Sequence, residues 1–175
     1  MEGRIYQLLH FLVARVKGHL QGKQDLTFSF TFCGDTNTPG YSAQRLKAQC
    51  DNMRIQTLEP STDTQSLKSA LASSDVILDA IFGFSFKPPV RAPFDAALPL
   101  IANSGLPIVS VDVPSGWNVD EGKVDALALD PDVLISLTAP KEGVRAFKGR
   151  HFLGGRFVPK YVCCRIKYVC AAHWP

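Results

Sequence analysis

Residues 75–87 read Asp-Val-Ile-Leu-Asp-Ala-Ile-Phe-Gly-Phe-Ser-Phe-Lys, and they limit what this chain can fold into more than any other stretch. An apolar run of strand length carries a carboxylate, Asp79, near its end. A glycine between aromatics, a lysine and Pro88-Pro89 follow. A strand, a carboxylate and a glycine-bearing loop form the rim of a ligand crevice in α/β proteins, because ligands bind outside the carboxyl ends of parallel strands. Residues 108–116 repeat the plan, ending in Asp112, Ser115 and Gly116; so do residues 132–141, ending in Thr138 and Lys141. As parallel neighbours, these strands bring Asp79, Asp112, Ser115 and Thr138 to one edge of one sheet.

The rest of the pattern supports that reading. Apolar residues at 8, 9, 12, 13, 16 and 20 have a helical period and predict a helix over 6–20. Strands are expected at 26–32, 55–58, 75–81, 108–113 and 133–138, with a last short one at 157–159. Helices are expected at 42–53, at 64–72 behind a cap at Thr62 or Asp63, and at 93–102 with Pro93 in the first turn. Residues 33–40 and 117–129 read as loops, and 141–147 as a helical turn. Strands alternating with helices imply right-handed βαβ crossovers and a mainly parallel sheet. The near-continuous apolar runs at 76–81 and 133–137 fit strands buried on both faces.

A chain of 175 residues suits one domain with one substantial core, and neither a linker nor a repeat divides it. The net charge of +3 is scattered, so no basic block points to nucleic acid. No apolar run approaches the ~18 residues that span a bilayer. Five cysteines, an odd number without framework spacing, fit reduced thiols in an intracellular protein. Residues 1–24 are basic with a short apolar core; they read as a structural amphipathic helix rather than a targeting segment. Cys163, Cys164, Cys170 and His173 in the tail lack paired metal-ligand spacing and read as a terminus rather than a zinc site.

A carboxylate at a buried strand end has three chemical uses: ligating a cation, holding a sugar hydroxyl, or acting as acid or base. The plainer alternative is a cap on the following loop. Asp79 and Asp112 at two strand ends keep both readings open. Residues 83–87 offer backbone N–H groups and the Lys87 cation, which suit a phosphate or pyrophosphate, although Phe84 and Phe86 also suit a core. Pro114-Ser115-Gly116 lacks the Gly-x-Ser-x-Gly frame, so Ser115 reads as a binding hydroxyl or cation ligand rather than a nucleophile. Residues 148–150 and 153–156 bring basic groups and glycines that read as turns or as part of the crevice lining.

Asp79-Ala-Ile-Phe-Gly-Phe-Ser-Phe-Lys87, Val90-Arg-Ala-Pro-Phe94, Val111-Asp-Val-Pro-Ser-Gly-Trp117, Pro131-Asp-Val-Leu-Ile-Ser-Leu-Thr-Ala-Pro-Lys141, Phe147-Lys-Gly-Arg150 and Leu153-Gly-Gly-Arg-Phe-Val-Pro159 together resemble the NAD(P)H-hydrate epimerase family, also called the YjeF N-terminal domain. The resemblance runs from 44 to 159, with 160–175 a divergent tail. A weaker likeness runs from 12 to 32, where 12–15 looks like the family's first helix. The resemblance implies a Rossmann-like three-layer α/β/α fold and interconversion of the R and S forms of hydrated NADH and NADPH. It implies a partner dehydratase that takes the S form and K+ as cofactor; a homodimer is an option for the non-catalytic reading below. Cytoplasm is the default compartment, and the resemblance allows mitochondria.

Residue by residue, the resemblance makes Asp79 and Ser115 potassium ligands. It gives substrate contacts to Gly83, Phe84, Ser85, Phe86, Lys87, Pro88 and Pro89, and to Asp112. Asp79 and Asp112 are both candidates for the catalytic acid/base. The family's glycine-rich loop has no counterpart: its place reads Ile-Tyr-Gln-Leu-Leu-His-Phe at 5–11. An N-terminally shortened fold is therefore expected, missing a strand and exposing a sheet edge. The second functional reading is an inactive ligand-binding or scaffolding module of the same fold.

Overall fold

The computed structural model describes residues 10–20, 23–31, 48–49, 51–54, 56–58, 64–92 and 94–154. Its elements are β1 (His10–Leu20), β2 (Lys23–Thr31), β3 (Gln56–Leu58), α1 (Gln65–Ala72), β4 (Val76–Ala80), α2 (Phe94–Ala102), β5 (Ile108–Val111), β6 (Val133–Leu137) and β7 (Arg150–Gly154), with a 3-10 turn at Glu142–Ala146. They form one sheet in the order β3-β2-β1-β4-β5-β6-β7. β4 to β7 are mutually parallel, and β1 alone runs against its neighbours. The Rossmann-like α/β class and the mainly parallel sheet stand as the sequence implied.

The two-residue pleat decides what the sheet buries. In β4 and β5, Ile77 pairs with Ile108 and Asp79 with Ser110, and all four are buried. Helices cover this face. Phe94, Ala97, Leu98 and Ile101 of α2 are buried at the spacing of one helical face, and Leu67 and Leu71 of α1 join them. Fully burying an aliphatic side chain of this size contributes about 1.5–3 kcal/mol. The pleat that places Ile77 and Ile108 in the core must also bury Asp79 and Ser110 two residues further on. The candidate site carboxylate Asp79 is thus placed at the end of the core face rather than on a surface loop.

The loop from β5 to β6 folds back over the strand ends. Gly116 has φ +89°, and a Cβ there would lie 2.6 Å from Ala128 Cα, so only glycine fits this turn. Trp117 is buried beside it, donating from Nε1 to the Leu129 carbonyl at 2.7 Å and meeting Phe147 edge-on. Leu129 N–H in turn donates to the Ser115 carbonyl at 2.9 Å.

Three expectations are corrected. Residues 10–20 form a strand, not the expected helix, and this includes 12–15, read as the family's first helix. The apolar positions 12, 16 and 20 also satisfy a two-residue period, and β2 and β4 supply hydrogen-bonding edges on both sides. The expected exposed edge of β4 is covered, since β1 pairs Val13 with Ile77 and Phe11 with Asp79. Residues 150–154 form an edge strand rather than turns, because β6 provides a five-residue parallel partner. The expected strand at 157–159, the caps at 62 and 63, Pro93 and the cysteine-bearing tail lie outside the described residues.

Candidate functional site

Asp79 is wholly enclosed. Its Oδ2 accepts from Ser110 Oγ at 2.7 Å and from Ser115 N–H at 2.9 Å. Its Oδ1 accepts from Ser115 Oγ at 2.6 Å, with Ile81 N–H further off at 3.4 Å. Every one of these donors is neutral. Burial pushes the Asp79 carboxyl above its ordinary range, and the serine and backbone donors offset only part of that. Among the described residues no cationic side chain pairs with it.

Asp112 occupies a different environment. Its backbone is left-handed, with φ +73°, and its N–H donates to the Ile135 carbonyl at 2.8 Å. Aspartate tolerates that region better than most residues. Oδ2 accepts from Phe84 N–H at 2.9 Å, and Oδ1 is ion-paired with Lys141 Nζ. The Asp112 side chain keeps 16% of its surface in solvent.

The loop after β4 binds the two carboxylate centres into one unit. Phe82 N–H donates to Ser115 Oγ at 3.1 Å, and Phe84 N–H to Asp112. Phe86 N–H closes a turn onto the Gly83 carbonyl at 2.9 Å. Gly83 is the close-approach position, since a Cβ there would stand 3.0 Å from Asp112 Oδ2. Phe86 packs inward, stacked on Phe82 at 4.2 Å between ring centroids, so it meets the site through its backbone only. Phe84 is 66% exposed, while Ser85, Lys87 and Pro89 are exposed and Pro88 half-buried. The Pro88-Pro89 bond is cis, and Val90 N–H is fixed by Asp125 Oδ2 at 3.1 Å.

A groove of about 360 Å³ is lined by Phe84, Leu137, Thr138, Lys141, Val119 and Asp120; two of these, Phe84 and Lys141, hold Asp112. The structure therefore brings together Asp79, Ser115, Asp112, Gly83 and Phe84, while Thr138 contributes wall rather than a bond to either carboxylate. Sequence reasoning did not single out Ser110 or Lys141 as site residues. Ser110 had a readable signal: it stands two residues before Asp112 in a buried strand, on the face that the pleat shares with Asp79. Asp125, which also accepts from Leu127 N–H at 2.8 Å, had none, since its partner lies 35 residues away. Among the described residues, no group of three or more His, Cys, Asp or Glu side chains is arranged to hold a metal. No helix there is long and apolar enough to cross a membrane.

A mainly parallel α/β sheet with two unlike carboxylates at adjacent strand ends is an architecture of the Rossmann-like class, whose ligands lie outside the carboxyl ends of the strands. The family described as YjeF-related protein N-terminus matches residues 19–143, and the chain belongs to it. It is 53% identical over 131 residues to an NAD(P)H-hydrate epimerase of Cryptococcus neoformans, covering 66% of this chain and 51% of the relative. It is 49% identical over 114 residues to an NAD(P)H-hydrate epimerase of Puccinia graminis, covering 65% of this chain and 45% of the relative. The chain thus spans about half the length of these relatives. The crystal structure of the yeast protein ynu0 superposes with a TM-score of 0.69 at 32% identity, covering 79% of this chain and 59% of that one.

Proposed function

We propose that this chain interconverts the R and S forms of hydrated NADH and NADPH, supplying the S form to a dehydratase that restores the cofactor. The observation that carries the reading is the pair of dissimilar carboxylates, Asp79 and Asp112, locked together through the 81–84 loop, whose Phe84 lines the groove. The names of the two fungal relatives support it. Epimerisation at a hydroxyl-bearing carbon needs reversible loss of the hydroxyl or opening of the ring, and an acid/base speeds either route. Asp112 is the better placed of the two. Each of its oxygens accepts one protein donor, which leaves acceptor capacity beside the groove. Asp79 is enclosed and takes two donors on each oxygen, so its part is to hold Ser115 and the loop in place.

The Asp79 centre also fits a monovalent cation in kind. It offers hard oxygen donors, Asp79 and Ser115, but each Asp79 oxygen already accepts two donors, so a cation there would have to displace the serine hydroxyls from the carboxylate. K+ held there would fix the carboxylate's charge and the shape of the loop.

The test is the epimerisation rate of pure R-form hydrated NADH with folded, purified chain, in potassium and in sodium buffer, against the spontaneous rate. The expected outcome is a protein-dependent rate that potassium raises. A background rate would overturn the reading in favour of a non-catalytic binding module. One observation favours that second reading: His10 and Phe11, in the place of the family's glycine-rich loop, are strand residues paired with Ala80 and Asp79.

A further inference from the structure

We propose that Lys141 is the positioning residue of this site, holding the Asp112 carboxylate against the Phe84 amide beside the groove that Lys141 and Phe84 line. The inference rests on the reading of Asp112 as the acid/base, and it adds a residue that this reading did not contain.

Lys141 Nζ pairs with Asp112 Oδ1 and donates to the Leu137 carbonyl at 2.9 Å. The two side chains are only 14% and 16% exposed. Lys123–Asp130 (39% and 74%) and Arg145–Glu142 (79% and 61%) are open to solvent by comparison. Exposed pairs contribute little, whereas breaking an enclosed pair leaves a charge without its partner. The Lys141–Asp112 pair is therefore the one among these three whose loss must be felt by its surroundings.

The backbone is bent to make this pairing. Thr138, at the end of β6, is left-handed with φ +66°, a conformation rare for a β-branched residue. Its N–H donates to Gly154, and Ala139 N–H closes back onto Leu137 at 2.7 Å. This reversal returns the chain so that Lys141 reaches both the Leu137 carbonyl and Asp112. Asp112 is itself left-handed, so both partners are delivered by unusual backbone conformations at the ends of adjacent strands. Backbone strain of this sort gathers at functional sites.

Hydrogen-bond capacity gives the arrangement its direction. A carboxylate has about four acceptor positions, and an ammonium has three donors. Lys141 and Phe84 N–H take one position on each Asp112 oxygen, and Leu137 takes a second Lys141 donor. The carboxylate is thereby fixed in orientation from two sides. Without Lys141, the Phe84 amide alone would hold a carboxylate free to turn.

The experiment compares the full chain with Lys141→Met, Lys141→Ala and, as a control at an exposed pair, Lys123→Met. Amide hydrogen exchange is read at Phe84 and at Ile77, whose N–H donates to the Pro107 carbonyl in the core. In Lys141→Met, Phe84 exchange is expected to rise at least tenfold while Ile77 is unchanged, and Lys123→Met is expected to match the parent at both. In the epimerisation assay, Lys141→Met is expected to lose ~100-fold in kcat with KM altered less than about threefold, the pattern of a lost transition-state interaction. Methylammonium is expected to restore Lys141→Ala at least tenfold while leaving the parent unaffected. Unchanged Phe84 exchange in Lys141→Met overturns the proposal, as does equal acceleration of Phe84 and Ile77. A parent chain without epimerase activity would sink the functional reading instead, and the exchange comparison would still decide whether Lys141 holds Asp112.

Discussion

Asp79 and Asp112 are the same residue at the ends of two adjacent strands, yet their surroundings differ in kind. Asp79 is sealed in, held by two serines and a backbone amide, and balanced by no positive charge among the described residues. Asp112 is half-buried and paired with an ammonium, Lys141, that lines a groove. The pleat accounts for the difference. Asp79 lies within β4 and shares the core face with Ile77, whereas Asp112 is the first residue beyond β5, where its left-handed backbone turns it out of that face. Two residues of register separate a carboxylate that organises the site from one suited to work in it.

The sharpest way to break this comparison is to neutralise each carboxylate and read activity and stability together. Asp112→Asn is expected to lower kcat by about 10²–10⁴, the usual scale of acid/base catalysis, with little change in the denaturant midpoint. Equal activity would remove Asp112 from that role. Asp79→Ala is expected to act the other way round. It orphans the buried Ser110 and Ser115 donors and is expected to reduce unfolding free energy by about 2–4 kcal/mol in urea titration. An unchanged midpoint would mean that the enclosed hydrogen bonds contribute nothing net.

A smaller perturbation sharpens the contrast. Gly83→Ala presses a methyl towards Asp112 Oδ2 and leaves the Asp79 contacts alone. Activity is expected to fall about tenfold, equivalent to ~1.4 kcal/mol of barrier, without loss of stability. The smallest effect belongs to His151, which bonds Ser136 Oγ at 2.8 Å and touches neither carboxylate. Burial lowers its pKa below 6.5. The unfolded chain therefore binds the proton first as pH falls, and this group's contribution to stability is present above 6.5 and is lost as pH falls towards the folded pKa. An NMR titration midpoint at or above 6.5 would contradict that placement.

Much of the carboxylate pair was legible in the sequence because its strands are self-announcing. Residues 76–80, 108–111 and 133–137 are apolar runs with one polar residue next to the last position, and Pro114-Ser115-Gly116 can only be a turn. What escaped depends on distant partners. Residues 10–20 carry a pattern that both a helix and a strand satisfy, and the choice is made by β4, more than 50 residues away. β7 is an edge strand with mostly exposed side chains, so no hydrophobic alternation marks it. Lys141 ended a motif in plain view, but its partner depends on a backbone reversal at Thr138 that residue type alone opposes.

Trp117 gives the molecule a built-in optical reporter. Its indole is buried, tied to Leu129, and only two residues from Ser115. Trp117 and Trp174 are the chain's two tryptophans, so Trp174→Phe would leave a single emitter beside the Asp79 centre. Its emission wavelength and quenching would then follow the Ser115 turn during titration with potassium or substrate, without any attached dye.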